Sequence, residues 1–586
     1  MKYFLFALAI LICKTAYAQN QDRTWLLGYG GGNQTPTNDS FGLSILTFDN
    51  ENHLSITNNQ SCNLNIRGGN SSLCDSLGNL IFFSNGEKVY NSNYSLLGNG
   101  NNLNVTNQNG VNQPQGALSL LIPQKDNQYL LLISEVKYFS TELLYAGFKI
   151  YSNTIDMSEN NGLGNLVEKK VEIIQDTLEA GQITSVKHAN GQDWWILVPE
   201  SYSNRYYTIL LDSSGLSIVD TQAIGMPFID GLGQAVFSPN GAKYARVNGI
   251  KTTTPTDLYI YDFDRCTGKL SNPLHLEYEN WGFGTGCAIS PNSRFLYALN
   301  ASYVFQYDLQ ATDVAASKTL VAEWDGYVHE VSFATTFATA QLAPDGKIYI
   351  CTAFSTPLLH IIEFPDRKGV ACQVHQRAIQ LPNYNDYSIP NFPNYRLGPI
   401  DGSACDTLGF DNHPLCNWRW EQEDTLSPLQ VTFTDLSSYE PSEWHWDFGD
   451  GTVSQDTSPL HTYMAEGIYT VCLVISNQYS SDTLCRVLNL GVSGIEEAEL
   501  GKAPNIFLVM PNPADDALWI TALSGLETEV KFELYDILGQ NVYSTSISTG
   551  QVTASVSVGN MPTGVYVYRI MQGSKLVQTD KLIISH

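Results

Sequence analysis

Three short segments constrain this chain most. Phe237-Ser238-Pro239-Asn240-Gly241-Ala242-Lys243-Tyr244, Ile289-Ser290-Pro291-Asn292-Ser293-Arg294-Phe295 and Leu342-Ala343-Pro344-Asp345-Gly346-Lys347-Ile348 align with one another, their prolines 52 and 53 residues apart. Each sets a turn between two strand-forming runs, and Asn-Gly or Asp-Gly supplies the positive φ that a tight hairpin needs. A period near 50 made of strands and turns is the mark of propeller blades, small sheets that bury their faces only by stacking on neighbours. Weaker copies extend the series backwards through Asn190-Gly191-Gln192-Asp193-Trp194-Trp195, Asp126-Asn127-Gln128-Tyr129 and Leu77-Gly78-Asn79-Leu80. Three hairpins are followed by a further strand ending at Asp262, Asp308 or Glu363, and Trp25 to Asp49 supplies one more unit. The expectation is an all-β propeller of about seven blades over residues 19–400.

The ends point to export. Residues 1–18 carry Lys2, an apolar run from Phe4 to Ile12, and Ala16-Tyr17-Ala18 before Gln19, the layout of a secretory signal peptide. Cys13 does not fit a lipoprotein signal, since Ile12 is bulky where such signals resemble each other in having a small residue. No other run approaches the roughly 18 apolar residues of a spanning helix, so no transmembrane segment is expected in the mature chain. Net charge is -27, a field that repels nucleic acid and anionic lipid.

The eleven cysteines, less Cys13, fall as neighbours: Cys62 with Cys74, Cys266 with Cys287, Cys351 with Cys372, Cys405 with Cys416, and Cys472 with Cys485. An even count in an exported chain argues for disulfides, and sequential pairing is the expectation, although sequence does not fix connectivity. Cys472 and Cys485 flank a hairpin around Gln478-Tyr479-Ser480, which sets the two thiols opposite each other. No pair has the Cys-x-x-Cys spacing of a redox or zinc site.

Three resemblances refine this reading. Asp75-Ser76-Leu77-Gly78-Asn79-Leu80-Ile81-Phe82-Phe83-Ser84-Asn85-Gly86, Val186-Lys187-His188-Ala189-Asn190-Gly191 and Ala343-Pro344-Asp345-Gly346-Lys347 make the first 400 residues similar to the large propeller of secreted Bacteroidetes proteins that carry PKD and sorting domains. Arg67-Gly68-Gly69-Asn70 departs from it where relatives tend to be acidic. Residues 401–417 are turn-rich and read as a linker. Trp444-His445-Trp446-Asp447-Phe448-Gly449-Asp450-Gly451, with Gly467-Ile468-Tyr469-Thr470-Val471, resembles a PKD domain over 418–492, an immunoglobulin-like sandwich. Trp444, Trp446 and Phe448 share one strand face and are expected in its core. Asp447, Asp450 and Asp456 are candidate calcium ligands, although turn formation explains them equally. Residues 493–504 read as an exposed spacer.

Residues 505–586 resemble the type A C-terminal sorting domain of the type IX secretion system of Bacteroidetes. The landmarks are Pro511, Asn512 and Pro513, the Tyr535-Asp536-Ile537-Leu538-Gly539 turn, Gly564 with Tyr566, and Lys581. Strand alternation alone does not separate such a domain from an ordinary immunoglobulin-like module. The resemblance implies a β-sandwich handled by the type IX translocon and its C-terminal signal peptidase, with the product secreted or held at the outer-membrane surface. Five Asp-Ser/Thr-Leu triplets, at Ser76, Thr177, Thr407, Thr425 and Thr483, are similar to the O-glycosylation acceptor pattern of the same bacteria.

Catalytic signatures are missing: no His-Glu-x-x-His, no Gly-x-Ser-x-Gly and no phosphate loop occur. Gly282-Phe283-Gly284-Thr285-Gly286 lies between propeller strands, and His188, His329, His360 and His375 are scattered singly. Glu135, Glu200 and Glu363 sit at strand ends and could gather near the channel as a glycosidase pair. The expectation is a non-enzymatic adhesion or binding protein without cofactor, its propeller presenting a carbohydrate- or protein-binding face. The alternative is an extracellular hydrolase or lyase acting on polysaccharide, which convergent carboxylates or a metal in the channel would favour; an apolar or aromatic channel mouth without them would favour binding.

Overall fold

The repeated hairpins have a common physical basis. In the first, Ser238 Oγ accepts the Lys243 amide at 2.9 Å, Asn240 Oδ1 accepts the Ala242 amide at 3.0 Å, and Gly241 takes φ of 73°. In the second, Ser290 Oγ accepts the Phe295 amide at 2.9 Å; in the third, Asp345 accepts the Lys347 amide at 3.0 Å and Gly346 has φ of 77°. Side-chain oxygens thus hold the turn, while glycine in the first and third hairpins and Ser293, at φ of 61°, in the second take the left-handed step. The acid ending each third strand pairs with the base just past the hairpin: Asp262 with Lys243, Asp308 with Arg294 at 2.7 Å, and Glu363 with Lys347 at 2.5 Å.

These units build seven small antiparallel sheets in chain order. Blades 1 and 2 have three paired strands each: Thr24–Gly28, Leu43–Phe48, Leu54–Asn59, then Ser71–Cys74, Leu80–Ser84, Val89–Asn91. Blades 3 to 7 have four each, with first strands Ala117–Leu121, Thr184–Lys187, Gly233–Phe237, Thr285–Ile289 and Phe337–Leu342. Apolar layers lie between successive blades, for example Trp195, Tyr244 and Tyr261 between blades 4 and 5, and Leu299, Phe337 and Ile350 between blades 6 and 7. The molecule, a computed structural model, describes residues 20–584 apart from 31–40, 50, 105–109, 140–143, 228–231, 249–254, 280–284, 331–332, 423–428, 491–506 and short stretches of the tail. The signal peptide and the 493–504 spacer lie outside the described residues.

Blade 1 closes the ring in an unexpected way. Ser72 Oγ donates to Thr24 O at 2.8 Å and the Cys74 amide to Gln21 O at 2.9 Å, so Thr24–Gly28 runs antiparallel to the first strand of blade 2 and holds the second place in its own blade. The axial place is left to a non-strand segment, residues 387–398. Asn391 Nδ2 donates to Ala117 O at 3.1 Å and Ile183 O at 2.9 Å, the Phe392 amide donates to Gln341, Asn394 donates to Pro239 O at 2.8 Å, and Tyr395 OH donates to Ser119 O at 3.0 Å. Arg396 forms a two-pronged ion pair with Asp22. The segment therefore touches the first strands of blades 3 and 7, residues flanking the first strands of blades 4 and 5, and the start of blade 1.

Buried amides complete the axis. Gln234 accepts the amides of Ala340 at 3.0 Å and Cys287 at 3.1 Å and donates to Ala340 O at 2.5 Å, linking blades 5, 6 and 7. Gln115 reaches from blade 3 to blade 5, accepting the Ala235 amide at 2.8 Å and donating to Ala235 O at 2.7 Å and to Asn391 at 3.1 Å. Buried strand-edge groups need such partners. Glycine lets the strands come this close: a Cβ on Gly286 would stand 2.5 Å from Ala338 O. The Gly282–Gly286 run thus includes a packing residue; 282–284 fall outside the described residues.

Residues 401–417, the expected linker, are packed against the fold. They pack as a strap, with Asn412 fully buried and donating to Pro399 O at 3.0 Å. The following sandwich pairs Trp418–Gln422, Gln430–Asp435 and Leu460–Thr462 in one sheet, and Val453–Ser454, Glu443–Asp447, Gly467–Ser476 and Ser481–Leu490 in the other. Trp446 and Phe448 are buried beside Trp418; Trp444 is only half-buried and donates to Asp435 at 2.9 Å. The chain divides into two compact units, residues 1–491 and 492–586. The second unit is a sandwich of its own, with Phe532, Leu534, Tyr566, Tyr568 and Ile570 inside. Tyr566 OH donates to Pro562 O at 2.8 Å, Gly564 opens a strand and Lys581 lies in the strand beside it; Pro511, Asn512, Pro513 and Gly539 lie outside the described residues.

Sequential disulfide pairing is corrected. Cys472–Cys485 joins directly opposed residues of a hairpin, but Cys266 pairs with Cys405, 139 residues away. Cys266 sits in a turn of blade 5, whereas Cys287 lies within a first strand, fully buried, its thiol on Gln234 O at 3.4 Å. Cys351 and Cys372 belong to different apolar layers, and Cys416 is inside the sandwich core. Cys62, Cys74, Cys287, Cys351, Cys372 and Cys416 are free and buried. Burial pushes Cys74 and Cys416 up to about 12 and Cys351 to about 11, which keeps them inert as thiols. Peptide mapping of native protein should find the Cys266–Cys405 and Cys472–Cys485 links, with the other six thiols alkylated only after unfolding; a Cys266–Cys287 peptide would contradict the fold.

Candidate functional site

The repeated hairpins define a lower face of the propeller, against which the strap and the PKD-like sandwich lie. At this junction Lys347 bonds Glu363 at 2.5 Å and approaches Glu421 at 3.8 Å, while Arg419 contacts both Glu363, at 3.4 Å, and Glu421. Asp345 lies buried alongside and accepts from Tyr349 OH at 2.8 Å. Three carboxylates thus share two cations. Burial, with Glu363 and Asp345 adding to it against Arg419 and Lys347, pushes Glu421 up to about 7. Beside this cluster a cavity of about 740 Å³ is lined by Pro239, Pro291 and Pro344 from the hairpins and by Ser437 and Tyr439 from the sandwich.

The opposite, upper face is different in chemistry. Tyr29 and Phe41, bounding the long connection of blade 1, meet edge to face at 5.5 Å, and Phe41 lies 6.5 Å from Tyr384 at the end of blade 7. Tyr29 OH donates to Ser355 Oγ at 2.9 Å, and Tyr384 OH donates to Glu330 at 2.5 Å and lies 3.3 Å from His329 Nε2. His329 belongs to a short hairpin, Val328–His329 with Phe333–Ala334, inserted between blades 6 and 7. Tyr327 beneath it carries Arg377 at 4.6 Å, which is paired bidentately with Asp325 at 2.5 and 2.9 Å. Tyr327, Val328, Phe333 and Phe354 are all exposed here. Arg67, at the position where the sequence departs from its relatives, is neutralised by Asp386 at 2.7 Å. The result is an aromatic rim beside which Arg67 and Arg377 are each paired with a carboxylate. Burial and the Glu330 carboxylate push Tyr384 up to about 12, so it stays a neutral phenol and donor.

The carboxylates proposed from sequence do not converge. Glu135 is buried in blade 3 against Tyr151 OH at 2.7 Å, Glu200 pairs with Arg205 in blade 4, and Glu363 belongs to the lower junction. Among the histidines only His329 reaches the rim. His188 accepts the Asn190 amide at 3.0 Å in a hairpin turn, His375 is exposed, and His360 is wholly buried against Phe337, where burial pushes it down to about 4. In the sandwich, Asp447 accepts the Gly449 amide, Asp450 bonds His461 at 2.8 Å and Asp456 accepts from Ser454, so each serves a separate turn contact. Of the Asp-Ser/Thr-Leu triplets, Thr177, Thr407 and Thr483 are exposed, Ser76 is half-buried, and Thr425 lies outside the described residues. Sequence reasoning missed the rim because Tyr29, Phe41, His329 and Tyr384 are far apart in the chain; the aromatic content of 11% was its only trace.

Residues 418–491 match the PKD domain family, and residues 508–585 match the secretion system C-terminal sorting domain. The second match marks export to the cell surface or beyond by the type IX route, and no helix among the described residues is long and apolar enough to cross a membrane. No curated protein sequence matches the chain. Similar solved structures include the PKD1 domain of Epp from Vibrio anguillarum, 24% identical, covering 14% of this chain and 96% of that one with a TM-score of 0.13. A 6-phosphogluconolactonase candidate from Bacteroides uniformis is 10% identical and covers 74% of this chain and all of its own, with a TM-score of 0.28. Another from Bacteroides fragilis is 13% identical and covers 52% and 95%, also with a TM-score of 0.28.

Two outcomes follow. Because the Glu421 carboxyl is raised above its ordinary value of 4.5, its contribution to stability is full below about pH 4.5 and is lost as pH rises through about 7. Thermal unfolding across that window should show the loss, and Glu421→Gln should flatten it; an unchanged profile in the variant would refute the assignment. Deleting residues 508–585 should leave the protein inside the cell, read by fractionation, and normal export of the truncated chain would remove the sorting role.

Proposed function

We propose that this is a non-enzymatic binding protein of the bacterial exterior whose upper propeller rim takes a neutral glycan. The observation that carries the reading is the aromatic rim of Tyr29, Phe41, Tyr384 and His329 standing over an axis closed by residues 387–398. These four rings are half-buried, but Tyr327, Val328, Phe333 and Phe354 beside them are exposed; exposed apolar surface marks contact sites, and ring faces bordered by hydroxyls suit the alternating C–H and O–H faces of a sugar. The internal pairing of Arg67 and Arg377 with Asp386 and Asp325 favours an uncharged ligand over an anionic one. The hydrolytic alternative draws no support from Glu135, Glu200 and Glu363, each engaged in a different blade. The PKD domain braces the lower face, which leaves the rim as the side presented outward.

Retention of purified protein by a panel of insoluble neutral polysaccharides should identify the ligand. Phe41→Ala with Tyr384→Ala should weaken retention about tenfold or more, equivalent to about 1.4 kcal/mol. Release of reducing sugar from any panel member, or retention unchanged in the double variant, would overturn the proposal.

A further inference from the structure

Blade 5 carries a second constellation, remote in the sequence from the rim residues. Its third and fourth strands, Thr256–Asp264 and Lys269–Tyr278, pair with Asp257 opposite Glu277 and Tyr259 opposite His275. Residues two apart on a strand share a face, as do directly opposed residues of neighbouring strands, so these four side chains stand together. Ligand atoms from Asp257, His275 and Glu277 all lie within 4.8 Å of one another, a grouping of three that occurs nowhere else among the described residues.

The surroundings hold these groups in place. Asn248 donates to Asp257 Oδ2 at 2.9 Å and accepts the Asp257 amide at 2.9 Å, which turns the other carboxylate oxygen, Oδ1, toward His275 Nε2 at 2.8 Å. The Tyr259 ring stacks on the imidazole at 4.7 Å and fixes its plane. Partners of this kind, which orient a carboxylate and an imidazole from behind, are what metal ligands require. The three groups grade outward, with Asp257 buried, His275 half-buried and Glu277 exposed, so one side of the trio faces solvent.

We propose that Asp257, His275 and Glu277 form a zinc-class divalent metal site with at least one open coordination position. Calcium and magnesium prefer shells made wholly of oxygen, whereas one imidazole nitrogen with carboxylates is a zinc-type donor set, and three protein ligands leave a fourth place for water or an oxygen of a bound molecule. The ion takes the place of the hydrogen bond between His275 and Asp257 and joins the two outer strands of the blade. No step of the glycan reading depends on this site, and the two stand or fall separately.

The test uses untagged full-length protein, stripped with chelator and titrated with zinc alone by calorimetry, with calcium as the second arm. One equivalent of zinc should bind and raise the melting temperature, as ligand linkage requires, and calcium should not compete. Glu277→Gln, an exposed and conservative change, should weaken zinc binding at least tenfold, and His275→Ala should abolish it, while Tyr384→Ala should leave it unchanged. Absence of zinc binding to the unaltered protein, or affinity undiminished in both Glu277→Gln and His275→Ala, would overturn the proposal.

Discussion

The propeller depends on how the backbone groups at its axis are satisfied. Several first strands turn polar edge groups toward the centre, where no further strand follows and water is largely excluded. Leaving such groups unpaired costs about 1–3 kcal/mol each. Gln115, Gln234 and Asn391 meet this requirement, because an amide side chain offers both a donor and an acceptor and can bridge two backbones at once. Asn391 can do so only because residues 387–398 descend the axis, so closure of the ring and satisfaction of its centre are one event.

How much of this was legible in the sequence follows from the range of each interaction. The hairpins at Pro239, Pro291 and Pro344 were readable because Ser, Asn, Asp and Gly act within five residues of one another. The acids closing each third strand were visible as a pattern, but their bases, Lys243, Arg294 and Lys347, come into view only once the second and third strands are laid side by side. Cys472 and Cys485 were readable for the hairpin reason. Cys266 and Cys405 were not, since neighbours in sequence are poor guides when a ring brings distant turns to one face. Cys351 and Cys372 illustrate the converse: 21 residues apart, they still point into separate apolar layers.

The candidate site shows the same limit more sharply. Glu135, Glu200 and Glu363 each sit near a strand end, which suggested convergence, yet Glu135 lies in and Glu200 just past the second strands of different blades, and Glu363 follows the end of a third strand, so the ring keeps them apart. The rim joins residues from opposite ends of the propeller sequence, Tyr29 and Phe41 with Tyr384, because the first and last blades are neighbours. The Asp257, His275 and Glu277 group was hidden by register: only the pairing of Asp257 with Glu277 brings a residue some twenty positions away onto the same face.

The Cys266–Cys405 bond sets the path that a pull on the PKD domain would take through the molecule. Tension applied there would travel back along the chain toward the axial segment, whose withdrawal would open the ring. The crosslink intercepts that pull at residue 405 and delivers it to a turn of blade 5, a body clamped between two neighbouring sheets. The closing segment at 387–398 therefore lies upstream of the point where such a force would be taken up, and the ring is shielded from being unthreaded by a pull on the domain that follows it.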